Sequence, residues 1–225
     1  MSLSIPSPHD LFVNRDQRFL IEGAIGLLEV MTRAADIDHP KLNNTLVIIC
    51  HPHPQHGGTM DNKVVTTVAR AARESGIDSV RFNYRGVGES EGTYGEFSGE
   101  CDDFDSILRW VNNNTQKTHL ILVGFSFGSG VVASRVNKIE NNLHSVLIAP
   151  PIERYAYPPG FIAPVSIIQG SDDEVLDAAG VTRWVESLNC DYDYYYSGKT
   201  SHFFHGKLIE LRRKLGLIFS AVQEP

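Results

Sequence analysis

The residue set most able to do chemistry centres on Ser126, within Gly124-Phe125-Ser126-Phe127-Gly128. An apolar run, His119 to Val123, precedes it, and a helix-compatible segment, Ser129 to Asn137, follows. A serine between a strand end and a helix start must turn sharply, and glycines two residues to either side let strand and helix pass close to that turn. The pattern reads as a nucleophile elbow with an exposed hydroxyl beside a helix N-terminus, where negative charge is favoured. A serine hydroxyl is a weak nucleophile at neutral pH. It needs a histidine base within hydrogen-bond reach, and a carboxylate to orient that base.

In this architecture the order along the chain is serine, carboxylate, histidine, with both partners after late strands. The carboxylates stand in Gly170-Ser171-Asp172-Asp173-Glu174-Val175, after the apolar strand Val165 to Gln169. Counting from the glycine turn favours Asp173 over its neighbour Asp172; the plainer alternative is that these acids cap the next helix. The histidines are His202 and His205, in Ser201-His202-Phe203-Phe204-His205-Gly206. His202 is nearer the strand end and is the favoured base, whereas His205 would serve as a cap or a packed side chain.

The loop His51-Pro52-His53-Pro54-Gln55-His56-Gly57-Gly58 directly follows the run Leu46 to Cys50. It is placed to give one backbone N–H to an oxyanion, with the Phe127 N–H as the other. Pro52 and Pro54 have no N–H, so His53 is the favoured donor and Gln55 the alternative, on a loop the prolines stiffen. His51, His53 and His56 also invite a metal reading. Their spacing resembles part of the metallo-β-lactamase ligand pattern, but that pattern has an acid where Gln55 stands, and no second ligand cluster is evident. No cofactor is expected. Arg81 to Gly88 has glycines, but no Gly-Lys-Ser/Thr follows and the third dinucleotide glycine is missing, so Arg85 is read as an anchor for its loop.

The elements that must hold these residues alternate. Arg18 to Ile25 and Gly26 to Arg33 read as early strands, and Asp36 to Asn44 as a polar loop. Leu46 to Cys50, Ile77 to Phe82, Ser145 to Ala149, Val165 to Gln169 and Asp191 to Tyr196 read as further strands, beside the one before Ser126. Helices are expected at Asp61 to Ser75 (with Asp61 as N-cap), Glu100 to Asn113, Asp177 to Leu188 and Lys207 to Val222. Strands alternating with helices make an α/β protein whose mostly parallel sheet is covered on both faces. Functional groups then gather beyond the carboxyl ends of the strands.

With 225 residues, 42% hydrophobic and 21% charged, the chain can bury a core as one domain, 1–225, with 1–15 peripheral. A net charge of −7 argues against a nucleic-acid partner, and the basic run Arg212-Arg213-Lys214 reads as a solvated helix face. Three scattered cysteines (Cys50, Cys101 and Cys190) fit reduced thiols, Cys50 as a small buried hydrophobe. No signal peptide is evident at Met1 to Asp10, and no run approaches the ~18 apolar residues of a spanning helix. A soluble cytoplasmic protein with no membrane partner is expected; the oligomeric state stays open.

Taken together, the blocks HPHPQHGGTMDNKVV (51–65), RFNYRGVGESEG (81–92), GFSFGSGV (124–131), GSDDEV (170–175) and SHFFHGKL (201–208) resemble the α/β-hydrolase superfamily. More narrowly, they are similar to a compact bacterial branch of hydrolases related to the dienelactone hydrolases. The resemblance implies an eight-stranded, mostly parallel sheet with the second strand antiparallel, and Ser126, Asp173 and His202 as the triad. Cap domains in this superfamily usually follow the strand that ends here at Ala149. The proline-rich stretch from Pro150 to Pro164 is too short to form one. An open site is therefore expected, lined by Tyr155, Tyr157 and Phe161 and acting on a small or medium ester or thioester. The alternatives are a non-catalytic binding or scaffold member of the fold, and a metal-dependent hydrolase using the histidine loop.

Overall fold

The computed structural model describes residues 6–7, 10–36 and 42–224. Eight strands form one sheet: β1 (Gln17–Glu22), β2 (Leu27–Arg33), β3 (Thr45–Cys50), β4 (Asp78–Phe82), β5 (His119–Phe125), β6 (Asn142–Ile148), β7 (Val165–Gly170) and β8 (Tyr192–Ser197). Their order across the sheet is β1-β2-β4-β3-β5-β6-β7-β8. β2 runs antiparallel to both β1 and β4, and every pair from β4 to β8 is parallel. Among the described residues four helices connect strands, α1 (Lys63–Glu74), α2 (Ser98–Asn114), α3 (Phe127–Arg135) and α4 (Ala178–Glu186), and α5 (Leu208–Ala221) follows β8. None of the described helices is long and apolar enough to cross a membrane.

Period-two alternation inside the apolar runs divides the core into two layers. Leu46, Ile48, Leu120 and Leu122 face a layer completed by Phe104 and Ile107 of α2, Val131 and Val132 of α3, and Val181 and Val185 of α4. Their neighbours Val47, Ile49, Ile121 and Val123 face the other layer, with Val64 and Val68 of α1 and Leu215 and Phe219 of α5. From β3 the chain crosses to β4 on one side, and from β5 to β6 on the other. The crevice beyond the carboxyl ends of β3 and β5 is therefore the topological switch point, where open α/β sheets bind ligands.

Several boundaries differ from the sequence reading, each for a local reason. β1 ends at Glu22 because the chain turns at once, with the Gly23 N–H on the Gly26 carbonyl at 2.8 Å, which leaves Ile25 exposed. α1 is capped by Asn62, whose Oδ1 accepts the Val64 N–H at 2.9 Å; Asp61 instead meets the Arg18 guanidinium at 2.7 Å. α3 begins at Phe127, immediately after the serine, and β6 begins at Asn142, ahead of the apolar residues that marked it. Of the expected loop from Asp36 to Asn44, residues 37–41 lie outside those described, as do 1–5 and 8–9 of the N-terminal segment.

Candidate active site

Ser126 alone separates β5 from α3, and its backbone takes φ 51° and ψ −118°. That conformation is sparsely populated for a residue with a side chain, so surrounding contacts must hold it. The Ser126 N–H donates to the Ile148 carbonyl at 2.8 Å. A Cβ on Gly124 would fall 2.3 Å from the Gly128 carbonyl oxygen, and one on Gly128 would fall 2.3 Å from that of Cys50. Both are far inside contact distance, so only glycine lets strand, turn and helix pack this closely.

The carboxyl ends of β7 and β8 bring the partners. Asp173 follows β7; its Oδ1 accepts the N–H groups of Val175 and Leu176, both at 2.9 Å. Its Oδ2 accepts from Gln169 Nε2 at 3.0 Å and from His202 Nδ1 at 2.8 Å. Burial pushes the Asp173 carboxyl upward, but the His202 bond and charge, with the Val175 N–H and Gln169, outweigh it and hold it below its usual value. Because the carboxylate can only accept, His202 carries its proton on Nδ1 and presents a free Nε2 lone pair. That Nε2 lies 3.0 Å from Ser126 Oγ. Phe125 and Phe203 flank the imidazole at 5.3 and 5.0 Å between centroids, and the residue is 2% exposed.

Asp172 and His205 stand apart from this chain of contacts. Asp172 is exposed and accepts the Ser171 hydroxyl at 2.6 Å, while His205 is exposed on the turn before α5. Glu174 has a part the sequence reading did not foresee: its Oε2 accepts the His202 backbone N–H at 3.0 Å. A run of three acids after a strand was a signal for both bonds, but it did not separate them.

The loop after β3 curls over the serine. Among the described residues, no hydrogen bond engages the N–H groups of His53 or Phe127, and both residues border the cleft beside Ser126. The Gln55 N–H is occupied by His53 Nδ1 at 3.2 Å. Asn83 anchors the far end of this loop. Its Oδ1 accepts the Met60 N–H at 2.8 Å, and its Nδ2 donates to the fully buried Glu29 at 2.6 Å.

His51 is buried with both ring nitrogens committed: Nδ1–H donates to the Pro52 carbonyl at 2.7 Å, and Nε2 accepts the Tyr84 N–H at 3.2 Å. Burial drives its pKa down to about 3, so it is neutral in ordinary conditions. A metal would have to displace both bonds. Among the described residues no three His, Cys, Asp or Glu side chains converge as ligands. The donor set does not fit a metal centre.

The cleft holds about 200 Å³ and is bordered by His53, His56, Ser126, Phe127, Arg154, Tyr155, His202 and Phe203 among others. Tyr155 lies on its wall, stacked on Phe97 at 4.3 Å. Phe97 reaches that place from a left-handed turn (φ 75°), steadied by Glu100, which accepts the Gly95 and Phe97 N–H groups at 2.8 Å each. Tyr157 and Phe161 do not line the cleft. Tyr157 packs on Trp184 at 5.1 Å, and Phe161 is buried in the core layer under α4.

The family model of the serine aminopeptidase, S33, type matches residues 43–163, from β3 through Ser126 to the segment before β7. An uncharacterized protein of Rickettsia prowazekii (strain Madrid E) is 31% identical over 193 residues, 80% of this chain and 81% of that protein. Among solved structures, an α/β serine hydrolase homologue from Coxiella burnetii is 40% identical with a TM-score of 0.84, covering 92% of this chain and 97% of that one. An α/β serine hydrolase without a lid from Xanthomonas campestris is 36% identical with a TM-score of 0.87, covering 96% and 99%. Like the latter, the chain has no large cap, since only residues 149–164 join β6 to β7. On its sequence, its sheet order and its serine-bearing elbow, the chain belongs to the serine aminopeptidase S33 family, within the α/β-hydrolase superfamily, and is a serine hydrolase.

Proposed function

We propose that the chain hydrolyses small carboxylic esters or thioesters through an acyl-enzyme on Ser126. The observation that carries this reading is the unbroken relay Asp173–His202–Ser126, with contacts of 2.8 and 3.0 Å. His202 Nε2 takes the Ser126 proton as Oγ attacks the acyl carbon, and Asp173 stabilises the imidazolium. The His53 and Phe127 N–H groups receive the oxyanion, a contribution of about 3 kcal/mol per donor in such sites. The imidazolium protonates the leaving group, and water deprotonated by His202 then releases the acid.

Aminopeptidase chemistry would use the same relay but must also hold an α-ammonium group. Among the described residues no Asp or Glu borders the cleft, and Arg154 does, which favours an ester or thioester over an amino-terminal peptide. The small cleft and the lack of a cap favour a short acyl group. The protein is proposed to act without a cofactor.

A fluorophosphonate probe tests the reading directly, applied to the wild type and Ser126→Ala with intact mass and peptide mapping. Labelling at Ser126 that vanishes in the variant supports an activated serine. A folded wild type that stays unlabelled overturns the relay as proposed.

A further inference from the structure

Arg154 is an exposed cation on the wall of the reaction cleft. Among the described residues its guanidinium makes no ion pair and no side-chain hydrogen bond, although it shares the cleft with Ser126, His53, His56 and His202. None of Glu153, Glu174 and Asp177 borders the cleft. Glu174 holds the His202 N–H. Asp177 borders the shallow groove on Arg154's other side, where it caps α4 through the Ala179 N–H at 3.0 Å and pairs with Arg183 at 3.0 Å. Glu153 lies on that groove and not on the cleft.

The backbone that carries Arg154 is fixed. Its N–H donates to the Pro151 carbonyl at 3.0 Å, and the next residue, Tyr155, is stacked on Phe97. Burial first, then the charges of His56 and Arg154, hold the imidazole of His53, on the same cleft, below its ordinary pKa. A concave surface of one sign concentrates ligands of the other, and a guanidinium offers paired donors to oxyanions. The planar guanidinium fork matches carboxylate and phosphate oxygens two at a time.

We propose that Arg154 binds an anionic oxygen group, a carboxylate or a phosphate, carried by the ester or thioester, and so makes the enzyme selective for anionic substrates. This rests on the ester reading above. Arg154 is a specificity residue here, because it meets a part of the substrate that does not react.

Matched substrate pairs test it on both sides of the scissile bond. On the acyl side, the mono-4-nitrophenyl ester of adipic acid is compared with 4-nitrophenyl hexanoate. On the leaving side, 3-carboxyphenyl acetate and 3-(phosphonooxy)phenyl acetate are compared with phenyl acetate. The readout is the ratio of kcat/KM for anionic and neutral partners, in the wild type and in Arg154→Gln, Arg154→Lys and Arg154→Glu. In at least one series the wild-type ratio should exceed that of Arg154→Gln by about tenfold, as for one charged hydrogen bond. Arg154→Lys should keep part of it, Arg154→Glu should reverse it, and added salt should shrink it. The leaving-side pairs separate carboxylate from phosphate. Turnover of all substrates with ratios unmoved by Arg154→Gln overturns the anion site alone. Absence of any turnover together with absent fluorophosphonate labelling overturns the ester reading.

Discussion

Glu174 holds by its main chain the same histidine that Asp173 holds by its ring: Glu174 Oε2 accepts the His202 N–H at 3.0 Å, and Asp173 Oδ2 meets Nδ1 at 2.8 Å. Two consecutive carboxylates thus set the position and the tilt of one imidazole. Glu174→Ala should lower kcat by about tenfold with little change in KM, because misplacement weakens the transition state more than binding. Glu174→Gln retains an acceptor oxygen and should restore most of the loss. Steady-state kinetics on a short 4-nitrophenyl ester checks both.

Asp173→Asn should reduce kcat by about 10⁴-fold, since an amide cannot fix the tautomer or stabilise the imidazolium. Asp172→Asn and His205→Gln, on exposed side chains outside the relay, should stay within about twofold of wild type. A large loss in either of these, with Asp173→Asn active, would move the relay to the other members of each pair.

Arg85 and Asp103 form a buried bidentate pair: Nη2 to Oδ1 is 2.8 Å, and their side chains are 8% and 0% exposed. The Asp103 carboxylate also accepts the Arg85 N–H at 2.9 Å, tying the loop after β4 to α2. Arg85→Ala leaves a buried carboxylate unpaired and should cost about 3–5 kcal/mol. In a domain of this size that corresponds to a fall in Tm of about 10 °C. Arg85→Lys should recover little, having a single point of contact. Calorimetry reads the shift, and an unchanged KM would confirm an anchoring role.

Acid should destabilise the fold well before it protonates ordinary carboxylates. Burial lowers His51 to about 3 and His144 to about 4, the latter only partly offset by the charge of Asp193. Unfolded histidines titrate near 6.5. Between that value and the folded ones, the unfolded chain takes up protons that the native state refuses, so stability falls as pH drops. Each such histidine costs up to about 1.4 kcal/mol per pH unit. Asp173, lowered in the native state, adds to the loss as pH falls through the carboxylate range. Denaturant unfolding from pH 7 to pH 5 should show this slope, and His144→Gln should remove about one proton from it.

Most of the scaffold was legible in the sequence because its signals are local. The apolar runs of β3 and β5 sit between turn-forming residues, and the glycine spacing around Ser126 admits few backbone solutions. Asp173 and His202 could be placed by counting from strand ends. What was not legible depends on which way an irregular segment faces. Tyr155 and Tyr157 are two residues apart in one proline-rich stretch, yet one lines the cleft and the other packs on Trp184. Phe97 reaches its stack on Tyr155 only through a positive-φ turn that no propensity favours, although Glu100 three residues later was a reach-back signal for it. Arg154 reads as one more surface cation until the cleft around it is seen to contain no acid.

The contact between Ser126 and His202 joins residues 76 apart, across strands that must both be seated in the sheet. During synthesis the elbow serine therefore leaves the ribosome long before its base, and no fragment ending before β8 can assemble the proposed relay. A truncated or stalled chain would carry the hydroxyl but not the reactivity. On the proposed mechanism, chemistry is deferred until folding is nearly complete, and the appearance of labelling at Ser126 would time the docking of the last strand and the loop behind it.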